Sequence, residues 1–273
     1  MKLPNPIARR SPVRGEQAFV YGFKARAQRH HCLGYGTFTV DVSGLGELRK
    51  AYSRAIRPIT YLPIHVKATA IALARNPEAN AILFKKWLGY EIVAFECVDV
   101  NLPITREING RPLTFIATIR DAASKSLSQI QAEISEHQEC PPEQSFAIQR
   151  ILKFEKLPFW LAATIHRRMA RSPAMYIRNV GTCGVTFLES EAGFDRMFPI
   201  APTSVVFGVG GVADEPVVRD GEICIGRILK CTLMVDNFVV PGLTGMKLGQ
   251  DFKEVLETGS VIAEELQQAG CVT

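Results

Sequence analysis

Five histidines and seven cysteines carry most of the proton-transfer, metal-ligating and nucleophilic chemistry available to this 273-residue chain. The cysteines stand at 32, 97, 140, 183, 224, 231 and 271, with no C-x-x-C spacing and no Cys/His cluster, so no metal set is expected. They are too dilute for a disulfide framework and fit the reduced thiols of a cytosol. Cys183 and Cys231 fall in strand patterns and read as small buried hydrophobes; a nucleophilic thiol needs an adjacent base, and none is evident. His65 and His166 sit within helical patterns and read as structural, and His137 reads as exposed. That leaves the adjacent pair His30-His31. Gly208-Val-Gly-Gly211 is not a dinucleotide loop, because Ala-Asp-Glu-Pro follows it where a helix is needed.

The elements that must position these groups follow from hydrophobic spacing. Thr37 to Val42 alternates as a strand with one buried face. Leu45, Leu48, Ala51, Tyr52 and Ala55 form a helical stripe that Pro58 ends. A second helix is expected over about 62–74, with Pro63 in its first turn. Glu91 to Ile108 is β-rich, Asn109-Gly110 is a hairpin turn, and Leu113 to Ile119 returns. A helix over about 124–137 has Ser124 and Ser126 as caps. A helical region spans about 145–170, interrupted near Pro158. Strands follow near 183–188, 203–210 and 223–236, with Asp220-Gly221 as a turn, and helices close the chain over about 243–258 and from Ser260. Spacing alone therefore gives one α+β domain without internal repeats.

Composition narrows the function classes. Apolar residues make up 47% and charged residues 22%, a globular balance large enough to bury a core without staples. The longest apolar run, Val205 to Ala213, is far short of the ~20 residues of a membrane helix, so no membrane partner is expected. The N-terminal stretch lacks the apolar core of a secretory signal, and its prolines 4, 6 and 12 oppose a transit helix, so the expected location is cytoplasmic. Residues 1–31 hold seven Lys/Arg against Glu16, whereas the rest has 25 basic and 26 acidic groups. The formal charge of +5 thus belongs to a basic N-terminal arm, residues 1–36, ahead of a domain spanning 37–273. Nucleic acid is not an expected partner, since a basic, aromatic-laced stripe on the body is not apparent.

Four stretches in order resemble the catalytic domain of 2-oxo acid dehydrogenase acyltransferases, a family with the chloramphenicol acetyltransferase fold. They are F-T-V-D-V-S-G-L (38–45) with I-T-Y-L-P-I-H-V-K-A (59–68); V-D-V-N-L-P-I-T (98–105) with the stretch to residue 134; N-V-G-T-C-G-V-T-F-L-E (179–189) with P-T-S-V-V-F-G-V-G-G-V (202–212); and L-M-V-D-N-F-V-V-P-G-L-T-G (233–245). The resemblance implies a two-layer α/β sandwich assembled as a homotrimer, with the site in a channel between subunits. Coenzyme A or another acyl-thioester would enter as substrate, and no separate cofactor is required. No lipoyl domain or linker is read in the chain, which implies a stand-alone catalytic core.

The fourth stretch departs from the family motif D-H-R-x-x-D-G. The frame here reads Asp236-Asn237-Phe238-Val239-Val240-Pro241-Gly242, so Asn237 replaces the basic histidine, Phe238 the arginine and Pro241 the second acid. A carboxamide cannot accept a proton near neutrality as imidazole does, and losing a positioned base typically removes about 10²–10⁴ in rate. Alternation along Leu229, Cys231, Leu233 and Val235 places Asn237 at the end of that face, where the family's histidine points. The resemblance implies that Thr186 matches a hydroxyl that stabilises the oxyanion, a role worth roughly 10²–10³, that Asn237 takes over the site, and that Asp236, Phe238 and His30 contact the ligand. Pro241 is expected to disturb the turn. Three functions follow as expectations. The first is a repurposed member that binds an acyl-thioester or an extended ligand and carries out an elimination, cyclisation or rearrangement in secondary metabolism. The second is a non-catalytic trimeric scaffold or partner of an active paralogue, a pseudoenzyme. The third is a coenzyme A-dependent acyltransferase whose base has moved to His31 or His30.

Overall fold

The computed structural model describes residues 31–108, 110–169, 171–187 and 195–271. The long alternating runs do what their period demands. β1 (Leu33–Asp41), β4 (Val100–Ile108), β5 (Arg111–Ile119), β6 (Cys183–Phe187), β7 (Val205–Arg219) and β8 (Glu222–Asp236) form one sheet in the order β1-β8-β7-β6-β4-β5. β6 runs parallel to both neighbours, and the other pairings are antiparallel. β2 (Ala81–Lys85) and β3 (Tyr90–Ala94) make a separate hairpin. The β-rich stretch from Glu91 therefore splits between two sheets, and β2 adds a strand not foreseen from spacing. The first strand begins at Leu33, four residues inside the expected arm, so His31 and Cys32 belong to the domain.

The odd-numbered positions of β8, among them Cys231, Leu233 and Val235, face a helical layer. That layer holds α1 (Leu45–Ala55), α2 (Leu62–Arg75), α3 (Leu127–Glu139), α7 (Gly242–Thr258) and α8 (Ser260–Gln268). Phe207 of β7 stacks on Phe252 of α7 with centroids 4.2 Å apart. Three helices, α4 (Phe146–Glu155), α5 (Phe159–Met169) and α6 (Pro173–Asn179), lead into β6. Sequence placed most of these. Ser126 caps α3 in a full capping box with Gln129. Asp220 and Gly221 both take positive φ, at 53° and 84°, which a two-residue hairpin with the sheet's twist requires.

The opposite face of the sheet is crossed by the segment 195–203. Tyr35 Oη donates to the carbonyl of Pro199 at 2.9 Å, and its ring meets Phe198 edge-on. The β7–β8 register shifts between Val209 and Val212, beside this segment. A Cβ at Gly210 would stand 2.1 Å from the Asp195 carbonyl oxygen and 2.7 Å from that of Lys230. Both are backbone atoms that cannot swing aside. Gly210→Ala is therefore expected to lower stability by about 3 kcal/mol in thermal or urea unfolding. Gly36→Ala, with nothing within 4 Å, is the control and should be close to neutral.

Candidate functional site

The candidate residues converge where β8 ends. Asp236 is the last residue of β8 and its side chain is completely buried. The β1–β8 register sets Leu33 opposite it, which carries the preceding residues past its carboxylate. Oδ1 accepts from the backbone N–H of Cys32 at 3.0 Å and of Phe238 at 3.1 Å. Oδ2 lies 2.6 Å from Nδ1 of His31, whose side chain is equally buried. An ionised carboxylate accepts only, so Nδ1 is the ring nitrogen that carries a proton, and in the neutral imidazole Nε2 is the acceptor. Nε2 is buried and has no partner among the described residues. Burial raises the Asp236 carboxyl, but the His31 hydrogen bond and charge and the two backbone donors outweigh it and hold it below the usual range. The result is a histidine oriented by a carboxylate, the geometry of a general base and its positioning residue.

Asn237 lies elsewhere. Alternation puts it on the helical face with Val235, whereas Asp236 shares the other face with Met234 and Thr232. Its amide sits over Gly34, where an added Cβ would be 2.6 Å from Nδ2. Asn237 is exposed, and so is Phe238, at 64%. Asp236, expected to touch ligand, has both oxygens taken by the chain's own donors. His30 lies outside the described residues. Pro241 does not disturb the turn. Val239 and Val240 donate to the Asp236 carbonyl at 2.9 and 2.8 Å, and Pro241 takes φ −59° just before α7, where a missing N–H costs nothing.

Thr186 is half-buried on β6. It pairs with Gly208, which pairs with Thr232 of β8, so it shares the face of Asp236. Two strand spacings across and four residues along separate them by roughly 16 Å. A tetrahedral centre must lie about 3 Å from both base and oxyanion donor, so Thr186 and His31 of one chain cannot serve one reaction centre. Position 237 does not join Thr186 either, because the two point to opposite faces.

One buried polar residue beside Asp236 was not singled out in the sequence. The Asp236 N–H donates to the Ser204 carbonyl at 2.8 Å, which sets Ser204 directly across the ladder from Asp236; its hydroxyl is fully buried with no partner. Only the register, which a lone Ser before an apolar run does not display, reveals this. His65, read as structural, stacks on Phe187 at 6.0 Å. It is buried with Nδ1 unpartnered, and burial lowers its pKa to about 4. Cys183 and Cys231 are buried and their thiols are pushed up, that of Cys231 to about 12, so neither is a thiolate near neutrality. Among the described residues no group of three or more His, Cys, Asp or Glu is arranged to hold a metal ion. No helix there is long and apolar enough to cross a membrane.

The family model for the 2-oxoacid dehydrogenases acyltransferase catalytic domain matches residues 24–150 and 171–263, most of the chain. The protein belongs to this acyltransferase family. Curated relatives include the dihydrolipoyllysine-residue acetyltransferase component of the pyruvate dehydrogenase complex of Staphylococcus aureus, 25% identical over 232 residues. The same component of Bacillus subtilis is 24% identical. Each alignment covers 83% of this chain but only 46% and 45% of the relative, so the chain spans slightly under half of their length. Among solved structures, the probable dihydrolipoamide acetyltransferase of Listeria monocytogenes superposes with a TM-score of 0.67 at 20% identity, covering 92% of this chain and 94% of that one. The Azotobacter vinelandii dihydrolipoamide acetyltransferase, solved to define the catalytic roles of a serine, a histidine and an asparagine, gives 0.69 at 19% identity, covering 96% and 100%. At these identities the likeness establishes the fold.

Proposed function

We propose that this chain transfers an acyl group from a thioester, with His31 rather than residue 237 as proton acceptor and Asp236 as its positioning carboxylate. The observation that carries the reading is the 2.6 Å contact from Nδ1 to Asp236, with Nε2 buried and unpartnered among the described residues. His31 takes the proton from the attacking thiol or hydroxyl, the new thiolate or alkoxide adds to the thioester carbonyl, and the proton passes to the departing thiolate. Nε2 is closed to solvent, so turnover requires an opening beside β1 that admits the attacking group. Because Thr186 is far from His31 within one chain, an oxyanion donor at that position must come from a neighbour. This favours a homotrimer that shares its sites, which native mass spectrometry would register at three times 30.2 kDa.

The test is thiol release from acetyl-CoA with dihydrolipoamide as acceptor. His31→Gln, which keeps a hydrogen-bond donor for Asp236, should lower kcat by about 10²–10⁴-fold while thioester affinity measured by calorimetry stays the same. Turnover unaffected by His31→Gln overturns the relocated base. Thioester binding without transfer in the unmodified chain favours the tailoring reading instead, in which shape and the Asn237 amide direct an elimination, cyclisation or rearrangement. Neither binding nor turnover favours a scaffold beside an active paralogue.

A further inference from the structure

The near-neutral charge of the body conceals a basic segment. Residues 146–179 hold seven Lys/Arg and a single acid, Glu155. They enclose residues 151–170, which fall between the two stretches matched by the family. A groove lies beside the two ends of this segment, lined by Phe146, Ala147 and Arg150 before the unmatched residues and by Arg178 and Asn179 after them.

The groove is a cavity of roughly 300 Å3 beside β5, the edge strand of the sheet, walled by the end of α3, by α4 and by α6. Three guanidinium residues line it: Arg120, Arg150 and Arg178. Arg120 is fixed by the Asp99 carboxylate at 2.6 Å and by the Ile177 and Arg178 carbonyls. Arg150 is held by the carbonyl and side-chain oxygens of Asn179, and burial and then the charge of Arg120 lower its pKa. Arg178 is exposed and makes no ion pair among the described residues. Glu136 is the one carboxylate in the lining. The charge of Arg120 reaches Arg150 although Asp99 pairs with Arg120, and an anion in the groove would ease that repulsion. The opening turn of α4 adds to the field. Ser145 caps it, and Phe146 and Ala147, whose N–H groups have no partner within a helix, also line the groove. The Phe146 ring is 74% exposed at the mouth, with the Arg150 guanidinium 5.8 Å from its centroid.

We propose that this groove binds a nucleotide-like phosphate ester, its phosphate among Arg150, Arg178 and the N-terminus of α4 and its planar ring on Phe146. Forked guanidiniums and a helix N-terminus suit a phosphate's several oxygens, and an exposed aromatic ring offers a stacking face. The inference stands apart from the role of His31, since no residue is shared.

Calorimetry on the full chain tests it with ADP, adenosine, inorganic phosphate and coenzyme A as probes. ADP should bind and adenosine should not. Arg178→Glu, at an exposed position, should weaken ADP at least about tenfold, and Phe146→Ala should weaken ADP but not inorganic phosphate. Coenzyme A that competes with ADP and is lost in Arg178→Glu would make the nucleotide end of an acyl carrier the source of the phosphate. ADP binding in the face of coenzyme A that does not compete would make it a free nucleotide. No ADP binding at millimolar concentration, or equal binding in an Arg178→Glu variant with unchanged melting temperature, overturns the proposal.

Discussion

Asp236→Ala should unfold at a much lower urea concentration than the unmodified chain, with a loss of about 3–5 kcal/mol and an unchanged m-value. The carboxylate has three donors, His31 Nδ1 and the N–H groups of Cys32 and Phe238. Truncation leaves the buried His31 Nδ1 without an acceptor and frees the part-buried N–H groups of Cys32 and Phe238, and each donor that water does not reach costs about 1–3 kcal/mol. The pair also fixes how β1 enters the sheet, so the loss should appear first as weakened protection of the β1 amides in hydrogen exchange. A loss below about 1 kcal/mol would show that the Leu33–Asp236 register holds without the carboxylate. Because the folded carboxyl titrates below its ordinary value near 4, this stabilisation is present above that value and is lost as pH falls through the lower, folded one.

The second large effect lies at His65. Burial holds its folded pKa near 4 against about 6.5 in an unfolded chain. As pH drops from 6.5 toward 4, the unfolded chain takes up a proton that the folded one refuses, so stability falls with pH across this window. The full separation corresponds to about 3 kcal/mol. His65→Leu removes the titrating group and keeps an apolar side chain against Phe187, so unfolding at pH 7 and at pH 4.5 should differ by about 2 kcal/mol less in the variant. Identical pH dependence in both chains would mean that His65 is hydrated or protonated in the fold.

The helices and most strands were legible because their periods are strong and their ends carry caps or turns. The stripe from Leu45 to Ala55 and the Ser126 cap are examples. β2 was not legible: four consecutive apolar residues, Ala81 to Phe84, carry no alternation to mark a strand. The strands over 203–210 and 223–236 prove to be long ribbons that pair from Val205 to Asp236, because Ala213 to Arg219 find their partners across the turn and not in the core. The site was legible in part. Family resemblance led to Asp236 and Asn237, and His31 was marked as a relocated base. Its union with Asp236, 205 residues away, depends on strand register, and so does the separation of Asn237 and Thr186 onto opposite faces. Side-chain pairing across a sheet is set by which strands become neighbours, and nothing local in either strand records that choice.

Among the described residues β1 bonds only to β8, and this has a consequence at the ribosome. Translation at 5–20 residues per second would complete Asp236 about 10–40 s after Leu33 has been added. For that interval a strand bearing Phe38 and Val40 has no partner in its own polypeptide, and the imidazole meant for Asp236 waits with it. Anything that shields an extended apolar segment during synthesis should raise the yield of folded protein. A circular permutant that begins at β2 and joins the C-terminus to β1 would place both edges of this ladder late in the chain and shorten that wait.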